Sequence, residues 1–406
     1  MPAAQPSRSP ETKPLPPIQR AGVTLLVLVS LVLLMLALPL GSAGFVTEAF
    51  AGAAVIFLYN WRNRRDWLAA AVVAAALGGI YKVTGAAVTP WIGWDFCFPA
   101  ALYGMASLPV LFYRATGEDE AGRRPLMILI GHVALLPALC LGCVVMVWVD
   151  LGLTPRTYDR FLYAFDRSLG CDPSFLMGAA FRAHDTLRLA ASLVYSNLPV
   201  NLCVLYAVWL RRRPAGAPDV RVVFALLGIA GFALYQFCPA SGPIYLFGKA
   251  FPYQPPPLAA LAMQTVDLPN VPRSAMPSGH LAWCLLVVFN SWWYRSWFLR
   301  GYALICLALT AAATLGLGEH YLIDLVVAVP LSVGIQLACS PGKRQRQWIP
   351  VAICLAMILA WLAVLRTGVG WHAQPLWSWT AVGVTLLASA VLYWNGSRRA
   401  AVSAGA

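Results

Sequence analysis

Long apolar runs alternate with short polar gaps along almost the whole chain, and this alternation limits the fold more than any other feature. Of the 406 residues, 60% are hydrophobic and only 11% are charged, against about a quarter charged in soluble domains. A soluble domain of this composition would expose a large apolar surface to water. Most runs approach the ~20 residues with which a helix crosses a bilayer. The pattern predicts an all-α, polytopic membrane protein, and continuous runs argue against the alternating strands of a membrane β-barrel.

Twelve apolar runs are candidate transmembrane spans. They lie at about residues 21–40, 44–60, 66–81, 98–114, 125–149, 191–210, 221–238, 279–294, 301–319, 321–339, 349–366 and 376–394. The first run resembles the apolar part of a signal peptide, but it is long for that role, and the Gly-Ser-Ala-Gly after it is a poor cleavage site. We therefore interpret it as the first membrane helix.

Basic residues occur in clusters that follow the even-numbered runs. The clusters are Arg62, Arg64 and Arg65; Arg114, Arg123 and Arg124; Arg211, Arg212 and Arg213; Arg295 and Arg300; Lys343, Arg344 and Arg346; and Arg398 and Arg399. With twelve spans, the positive-inside rule places every cluster and both termini in the cytoplasm. The net charge of +13 is also compatible with a nucleic-acid partner. We set this hypothesis aside because the basic residues are not gathered on one face or in one tail.

Proline content and the position of the motifs divide the sequence into four parts. We predict a disordered cytoplasmic tail at 1–20, a four-helix membrane region at 21–124, a catalytic membrane core at 125–340, and two C-terminal helices with a short tail at 341–406. Two long gaps fall on the predicted outer side. The gap at about 150–190 mixes charged and apolar residues, which indicates amphipathic helices. The gap at about 239–278 is rich in Pro and Gly, which indicates an ordered loop without a long helix.

Two short motifs with histidine supply the candidate site. Pro-Ser-Gly-His occupies 277–280 at the start of the eighth run, and His-Tyr-Leu-Ile-Asp occupies 320–324 between the ninth and tenth. Because two spans separate the motifs, both reach the same, outer membrane surface. Ionisable residues beside a span are candidates for function. The spacing therefore predicts that two histidines and one aspartate meet at one depth.

The three side chains suit nucleophilic catalysis on phosphorus. His320 and Asp324 are four residues apart, so they share a helix face. An aspartate that accepts from one imidazole nitrogen leaves the other nitrogen free to attack. His280 can then protonate the leaving oxygen as a general acid.

Phosphate binding is predicted from the residues around His280. Backbone N–H groups at a helix start attract phosphate, Ser278 adds a hydroxyl, Gly279 permits close approach, and Arg273 can pair with phosphate oxygens. His and Asp are also zinc ligands, but the nearby arginine and the Pro-Ser-Gly turn fit phosphate better. We therefore predict no metal and no cofactor.

Both motifs in this order resemble those of the type 2 phosphatidic acid phosphatase superfamily. The resemblance implies a six-helix membrane core over about 125–340. It implies that His320 attacks phosphorus and forms a phosphohistidine, that Asp324 orients His320, and that His280 is the acid.

The chain departs from that family at two positions. The family's first basic motif is absent from the region before Tyr245 and Lys249, and Ala313 and Thr314 stand where its Ser-Arg is expected. Arg273 or Lys249 could replace the missing cations, and Tyr245 is a further candidate phosphate ligand. The departures and the His-Tyr-x-x-Asp form are similar to the branch with inositol phosphorylceramide synthase and sphingomyelin synthase. Those enzymes pass a phospho-head group to a lipid alcohol.

The sequence thus predicts a lipid phosphoesterase or phosphotransferase, with transfer to a lipid alcohol favoured. Hydrolysis of a lipid phosphate and transport of a lipid or solute are the alternatives, and the predicted partners are a phosphoester lipid and the bilayer. Alanine and arginine usage, with only four lysines, favours a bacterial inner membrane with the site facing the periplasm.

The other histidines and the cysteines are predicted to serve structure. His132 lies inside a run, His184 in the first long gap, and His372 in the last gap among tryptophans. A disulfide between Cys171 and Cys238 would join the two long gaps, and the sequence leaves this pairing open.

Overall fold

The computed structural model describes residues 15–37, 44–84, 94–340, 344–368 and 374–404. These residues are predominantly helical, with one two-stranded antiparallel ladder between β1 (Arg156–Thr157) and β2 (Val266–Asp267). The chain divides into two compact units, 1–141 and 142–406. The prediction of an all-α fold is confirmed.

The described residues of unit 1 form a small helical bundle. It contains α1 (Pro17–Ala37), α2 (Gly44–Asn60), α3 (Arg64–Thr84), α4 (Trp94–Thr116) and the first part of α5 (Glu120–Leu153). Helix α4 packs against α1, α2 and α3. Gly104 of α4 faces the backbone of α2, since a Cβ there would lie 1.8 Å from the Phe50 carbonyl oxygen. A small residue at this position lets the two helices pack closely, as is common in membrane bundles.

Unit 2 begins within α5 and holds the remaining helices. They are α6 (Asp159–Ser168), α7 (Pro173–Ala183), α8 (Asp185–Ser196), α9 (Leu198–Arg212), α10 (Val220–Phe237), α11 (Pro243–Phe247), α12 (Gly279–Ser291), α13 (Trp297–Gly316), α14 (Leu322–Cys339), α15 (Arg344–Thr367) and α16 (Pro375–Ala404). Two 3-10 turns, Gly248–Ala250 and Leu258–Ala260, follow α11.

Helix α14 is the central element of unit 2. It packs against α6, α10, α12, α15 and α16, and most of its apolar stretch is buried. Two polar contacts tie it to α12. Asn290 Nδ2 donates to Gln336 Oε1 at 2.8 Å, and Ser332 Oγ donates to the Ala282 carbonyl at 3.2 Å. Such bonds stabilise helix pairs where water is absent, so α12 and α14, which begin at the two motifs, are held together.

Helix coincides with all twelve predicted runs, but the sixth run is broken. Helices α8 and α9 meet at Asn197 with a bend of 59°. Pro199 in the first turn of α9 has no N–H to donate to the carbonyl four residues earlier, and its ring clashes with that carbonyl in a continuous helix, which explains the break. Seven helices of the described residues are long and apolar enough to cross a membrane, and the bent pair would make eight. A multi-pass membrane protein is therefore supported, while the count of twelve spans stays a prediction.

The two long gaps have different structures. The first forms α6 and α7, and α6 has a strongly one-sided distribution of apolar residues, as predicted for this gap. The second is largely irregular, apart from the short α11, the two 3-10 turns and β2. Pro243 supplies the fixed φ that favours the first turn of α11. Both gaps belong to unit 2, where they lie beside the starts of α12 and α14.

Candidate active site

The start of α12 is built by Ser278 and Gly279. Ser278 caps the helix, since its hydroxyl accepts from the Leu281 N–H at 3.4 Å. Its own N–H donates to the Asp324 carbonyl at 3.1 Å and so joins the starts of α12 and α14. Gly279 lies against Tyr235, because a Cβ on Gly279 would be 2.8 Å from the Tyr235 hydroxyl. These contacts of Ser278 and Gly279 therefore fix the position from which the side chain of His280 projects from α12.

His320 is buried, with 3% of its surface exposed, just before α14. Its Nδ1 lies 2.9 Å from the Ala275 carbonyl oxygen and 3.3 Å from Asp324 Oδ2. Both neighbours are acceptors, so Nδ1 carries the proton and donates. Nε2 then has a free lone pair, and the Ser278 hydroxyl, 3.3 Å away, can donate to it. The network selects the tautomer in which Nε2 is the nucleophilic atom.

Asp324 is fully buried at the first turn of α14. Its Oδ2 accepts from the Tyr321 N–H at 2.8 Å and from His320 Nδ1. The backbone bond fixes the carboxylate on the side that faces the imidazole. Asp324 thus has the geometry to orient His320, although His320 precedes α14 and the two residues do not share a helix face as the four-residue spacing predicted.

The imidazole of His280 faces that of His320. Their ring centroids are 6.4 Å apart and the planes are inclined by 67°. On His280, the ring of Tyr195 from α8 stacks at 3.9 Å with an angle of 13°. His280 is half-buried, whereas His320 is buried. The structure therefore brings the two motif histidines and Asp324 together, with His280 nearer the surface.

A second carboxylate, Glu319, lies beside the histidine pair. The Tyr245 hydroxyl donates to Glu319 Oε2 at 3.0 Å and lies 3.2 Å from Oε1. Burial raises the pKa of Glu319 and lowers the pKa of His320 to about 4, although the charge of Glu319 opposes the second shift. His320 is therefore neutral near pH 7, as a nucleophile must be. Tyr245, predicted as a phosphate ligand, bonds to a carboxylate instead.

Arg273 has a different environment from the one predicted for a phosphate ligand. It is 2% exposed, and its guanidinium donates to backbone carbonyls on both sides. The acceptors are the carbonyls of Thr154 at 2.9 Å, Pro155 at 3.0 Å, Leu268 at 2.7 Å and Val271 at 2.9 Å. Nη1 also lies 3.5 Å from the Ser241 hydroxyl. This geometry does not support phosphate binding by Arg273, because its donors hold the two long gaps together.

Lys249 is exposed on the 3-10 turn after α11. Within the described residues, no hydrogen bond or ion pair joins it to His280 or His320. The role predicted for Lys249 as a phosphate ligand therefore stays a prediction.

Helices α6 and α7 contribute residues that the sequence reasoning did not select. Asp159 accepts from the N–H groups of Ser241 and Gly242 and from the Tyr321 hydroxyl. Asp166 accepts from two N–H groups at the start of α14, and Ser174 donates to the His320 carbonyl. The seven-residue spacing of Asp159 and Asp166 places both on one face of α6 and was the available signal. Tyr195, within an apolar run, gave no signal of its contact with His280.

The remaining candidates lie on elements other than the starts of α12 and α14. His132 is in the part of α5 that belongs to unit 1, and His184 is exposed between α7 and α8. His372 lies outside the described residues. Cys171 and Cys238 are both free thiols. Among the residues that the structure describes, no group of three or more His, Cys, Asp or Glu side chains is arranged to hold a metal ion.

Comparison with known proteins finds a similarity over part of the chain. No curated protein and no solved structure matches the chain. A family model described as the PAP2 superfamily matches residues 160–338, slightly less than half of the chain. The match covers α6 to α14 and includes both motif histidines and Asp324. It confirms the resemblance at the level of the superfamily, and nothing in the comparisons supports the branch of inositol phosphorylceramide synthase. Residues 160–338 are therefore similar to the PAP2 superfamily, and this similarity indicates a lipid phosphatase or phosphotransferase.

Proposed function

We propose that the protein transfers a phospho-head group from a membrane lipid to a lipid alcohol through a phosphohistidine on His320. The observation that carries the proposal is the position of Nε2 of His320. Asp324 and the Ala275 carbonyl contact the imidazole of His320 at Nδ1, and its ring centroid lies 6.4 Å from that of His280. A nucleophile, its orienting group and an acid on the opposite side are the parts that covalent phosphoryl transfer requires.

The reaction follows from these positions in two steps. In the first, Nε2 attacks phosphorus, the bond from phosphorus to the leaving alcohol oxygen breaks, and His280, which the negative phosphate of the bound lipid keeps as the imidazolium, gives its proton to that oxygen. In the second, His280 takes the proton of the acceptor hydroxyl, the acceptor oxygen attacks phosphorus, and the bond between phosphorus and Nε2 breaks. Asp324 keeps the proton on Nδ1 throughout and stabilises the positive charge that the ring gains. At the start of α12, the N–H groups of Ser278 and Leu281 are already bonded, which leaves the Gly279 N–H as a donor for a phosphoryl oxygen.

The scarcity of cations beside His320 among the described residues favours head-group transfer over hydrolysis of a lipid phosphate. Asp159, Asp166, Glu319 and Asp324 surround the segment with His320, and no ion pair joins a described Lys or Arg to any of them. The donors of Arg273 are used by carbonyls. A phosphate monoester carries up to two negative charges and a phosphodiester carries one, so the diester needs less compensation by nearby cations. A diester donor is what transfer of a head group needs, as in the branch with inositol phosphorylceramide synthase.

The topology belongs to the same proposal. The basic clusters place both termini in the cytoplasm, and the active site then faces the periplasm of a bacterial inner membrane. A transporter would need charged residues at mid-membrane in paired, broken helices. In this protein, the charged residues of the candidate site lie at the starts of α12 and α14 and in the two long gaps.

A lipid profile of membranes without the protein tests the proposal. Phosphorus NMR and mass spectrometry would compare strains complemented with wild type, His320→Ala and the exposed-site control His184→Ala. Loss of one phospho-head-group lipid, restored by wild type and His184→Ala only, supports transfer. Build-up of a lipid phosphate in the His320→Ala strain means hydrolysis instead. Equal profiles in all three complemented strains would contradict both reactions, since loss of the nucleophile costs orders of magnitude in rate.

A further inference from the structure

The segment with His320 has almost every backbone group bonded to a neighbouring element. The His320 N–H donates to the Thr314 carbonyl at 3.1 Å, and its carbonyl accepts from the Ser174 hydroxyl at 2.8 Å. The next N–H, of Tyr321, donates to Asp324. Two more N–H groups follow at the start of α14, where a helix has no carbonyls of its own to accept them.

Asp166 from α6 accepts both of these N–H groups. Its Oδ2 lies 2.7 Å from the Leu322 nitrogen and its Oδ1 lies 3.2 Å from the Ile323 nitrogen. Asp166 is 2% exposed, so water does not compete for either bond. A helix is normally capped by the residue just before it, but Tyr321 occupies that position. The cap of α14 therefore comes from another helix, more than 150 residues earlier in the chain.

Asp159 makes a second bond from α6 to the same segment. It accepts from the Tyr321 hydroxyl at 3.0 Å and from the Gly242 N–H at 2.7 Å. Tyr321 is 1% exposed. One carboxylate thus holds both the residue after His320 and the loop before α11, and the two carboxylates of α6 lie seven residues apart on one face.

We propose that Asp166 and Asp159 are positioning residues, through which α6 holds the backbone of His320 so that Nε2 faces His280. Neither residue contacts the site between the imidazoles, and both act through the segment from His320 to Ile323. A shift of about 1 Å in a reacting atom can cost a hundredfold in rate. Because the inference rests on the proposed phosphohistidine, its test must separate the two.

The test measures phosphoenzyme formation in the purified full-length protein. Rapid-quench experiments would use detergent micelles with phosphatidylinositol and, separately, phosphatidic acid. The burst amplitude counts folded, competent sites, whereas the rate constant reports the geometry of His320. For Asp166→Asn, one amide oxygen replaces two acceptors, and we expect a rate constant lower by about 10- to 100-fold with the amplitude kept. Asp185→Asn is the matched control, because its side chain is 82% exposed on α8.

A second variant keeps the test decisive if Asp166→Asn does not fold. Tyr321→Phe retains the buried ring and removes only the bond to Asp159, and Tyr253→Phe, on an exposed ring, is its control. We expect a rate constant about 3- to 10-fold lower in Tyr321→Phe and no change in Tyr253→Phe. A fall in amplitude alone, at an unchanged rate constant per site, would overturn the positioning role. If wild type forms no phosphoenzyme with either lipid, the proposed function itself fails.

Discussion

The Ser278 hydroxyl lies 3.3 Å from Nε2 of His320, the atom that is free to act as a nucleophile. The same hydroxyl accepts from the Leu281 N–H at the start of α12. The side chain of Ser278 therefore caps α12 and also lies within hydrogen-bond distance of Nε2 of His320, just before α14. It joins the two motifs directly, in addition to the bond from its own N–H to the Asp324 carbonyl.

Ser278→Ala is expected to lose both stability and activity, and Ser296→Ala only stability. Ser296 caps α13 in the same way, since its hydroxyl accepts from the Leu299 N–H at 3.3 Å. Loss of either cap costs about 1 kcal/mol. In Ser278→Ala, Nε2 also loses its donor, and we expect phosphoenzyme formation to slow by about tenfold. Thermal unfolding in detergent and rapid-quench kinetics measure the two effects. Equal kinetics in the two variants would contradict a role for the hydroxyl at His320.

Activity is expected to fall as the pH drops through the pKa of His320, which burial lowers to about 4. Above this pH the imidazole is neutral and Nε2 can attack. The sign for stability follows from the same shift, since the folded state resists protonation of His320. This contribution to stability is complete above the ordinary pKa of about 6.5 and is lost as the pH falls towards 4.

Glu319→Gln should leave the acid limb of the rate profile near its wild-type pH. Burial raises the pKa of Glu319 above its ordinary value of 4.5, so this carboxyl group is mostly protonated at the pH of the limb, and the neutral amide replaces it without a change in charge. Glu118→Gln, which alters an exposed pair with Arg114 in unit 1, should also leave the limb in place. The measurement is the rate constant of phosphoenzyme formation between pH 3.5 and 8. A limb that moves in either direction in Glu319→Gln would show that Glu319 acts on His320 in another way.

The sequence predicted the site best where two motifs begin helices. Each motif stands at the start of a helix, and the hairpin between them returns the chain to the same end, so His280, His320 and Asp324 meet. Pro199 explains the bend at Asn197, but the bend was not predicted because the apolar run continues through it. Contacts with backbone groups cannot be predicted from motifs and apolar runs, as Arg273 shows. An arginine beside a Pro-Ser-Gly turn suits phosphate, yet carbonyls from both long gaps use its donors.

Arg273→Ala is expected to reduce the amount of folded protein and to leave the affinity for the lipid little changed. Bonds from a charged donor to carbonyls contribute about 1.5–3 kcal/mol each, without being additive, so the two long gaps should separate at a lower temperature. Arg273→Lys keeps the charge but loses the planar donors and should be destabilised as well. The melting temperature and the KM for each donor lipid check this. A large rise in KM at an unchanged melting temperature would restore the role of Arg273 as a phosphate ligand.

Helix α16 lies outside the matched PAP2 region and contacts α6, which holds the segment with His320. Trp379 Nε1 donates to the Leu169 carbonyl at the end of α6 at 3.0 Å, and the hydroxyls of Ser168 and Ser378 lie 2.7 Å apart. If α6 positions His320, a weaker contact here should reach the active site. Trp379→Phe removes one hydrogen bond, worth about 1 kcal/mol, and retains most of the ring.

We expect Trp379→Phe to lower the melting temperature by a few degrees and to slow phosphoenzyme formation by a factor of about two to five. Trp377→Phe, two residues away on the same helix with an exposed ring, is the control and should change neither quantity. The kinetic effect should become smaller when Trp379→Phe is combined with Asp166→Ala, because α6 then holds the segment with His320 only through Asp159. If the two substitutions instead slow the reaction by independent factors, α16 influences the site by a route other than Asp166.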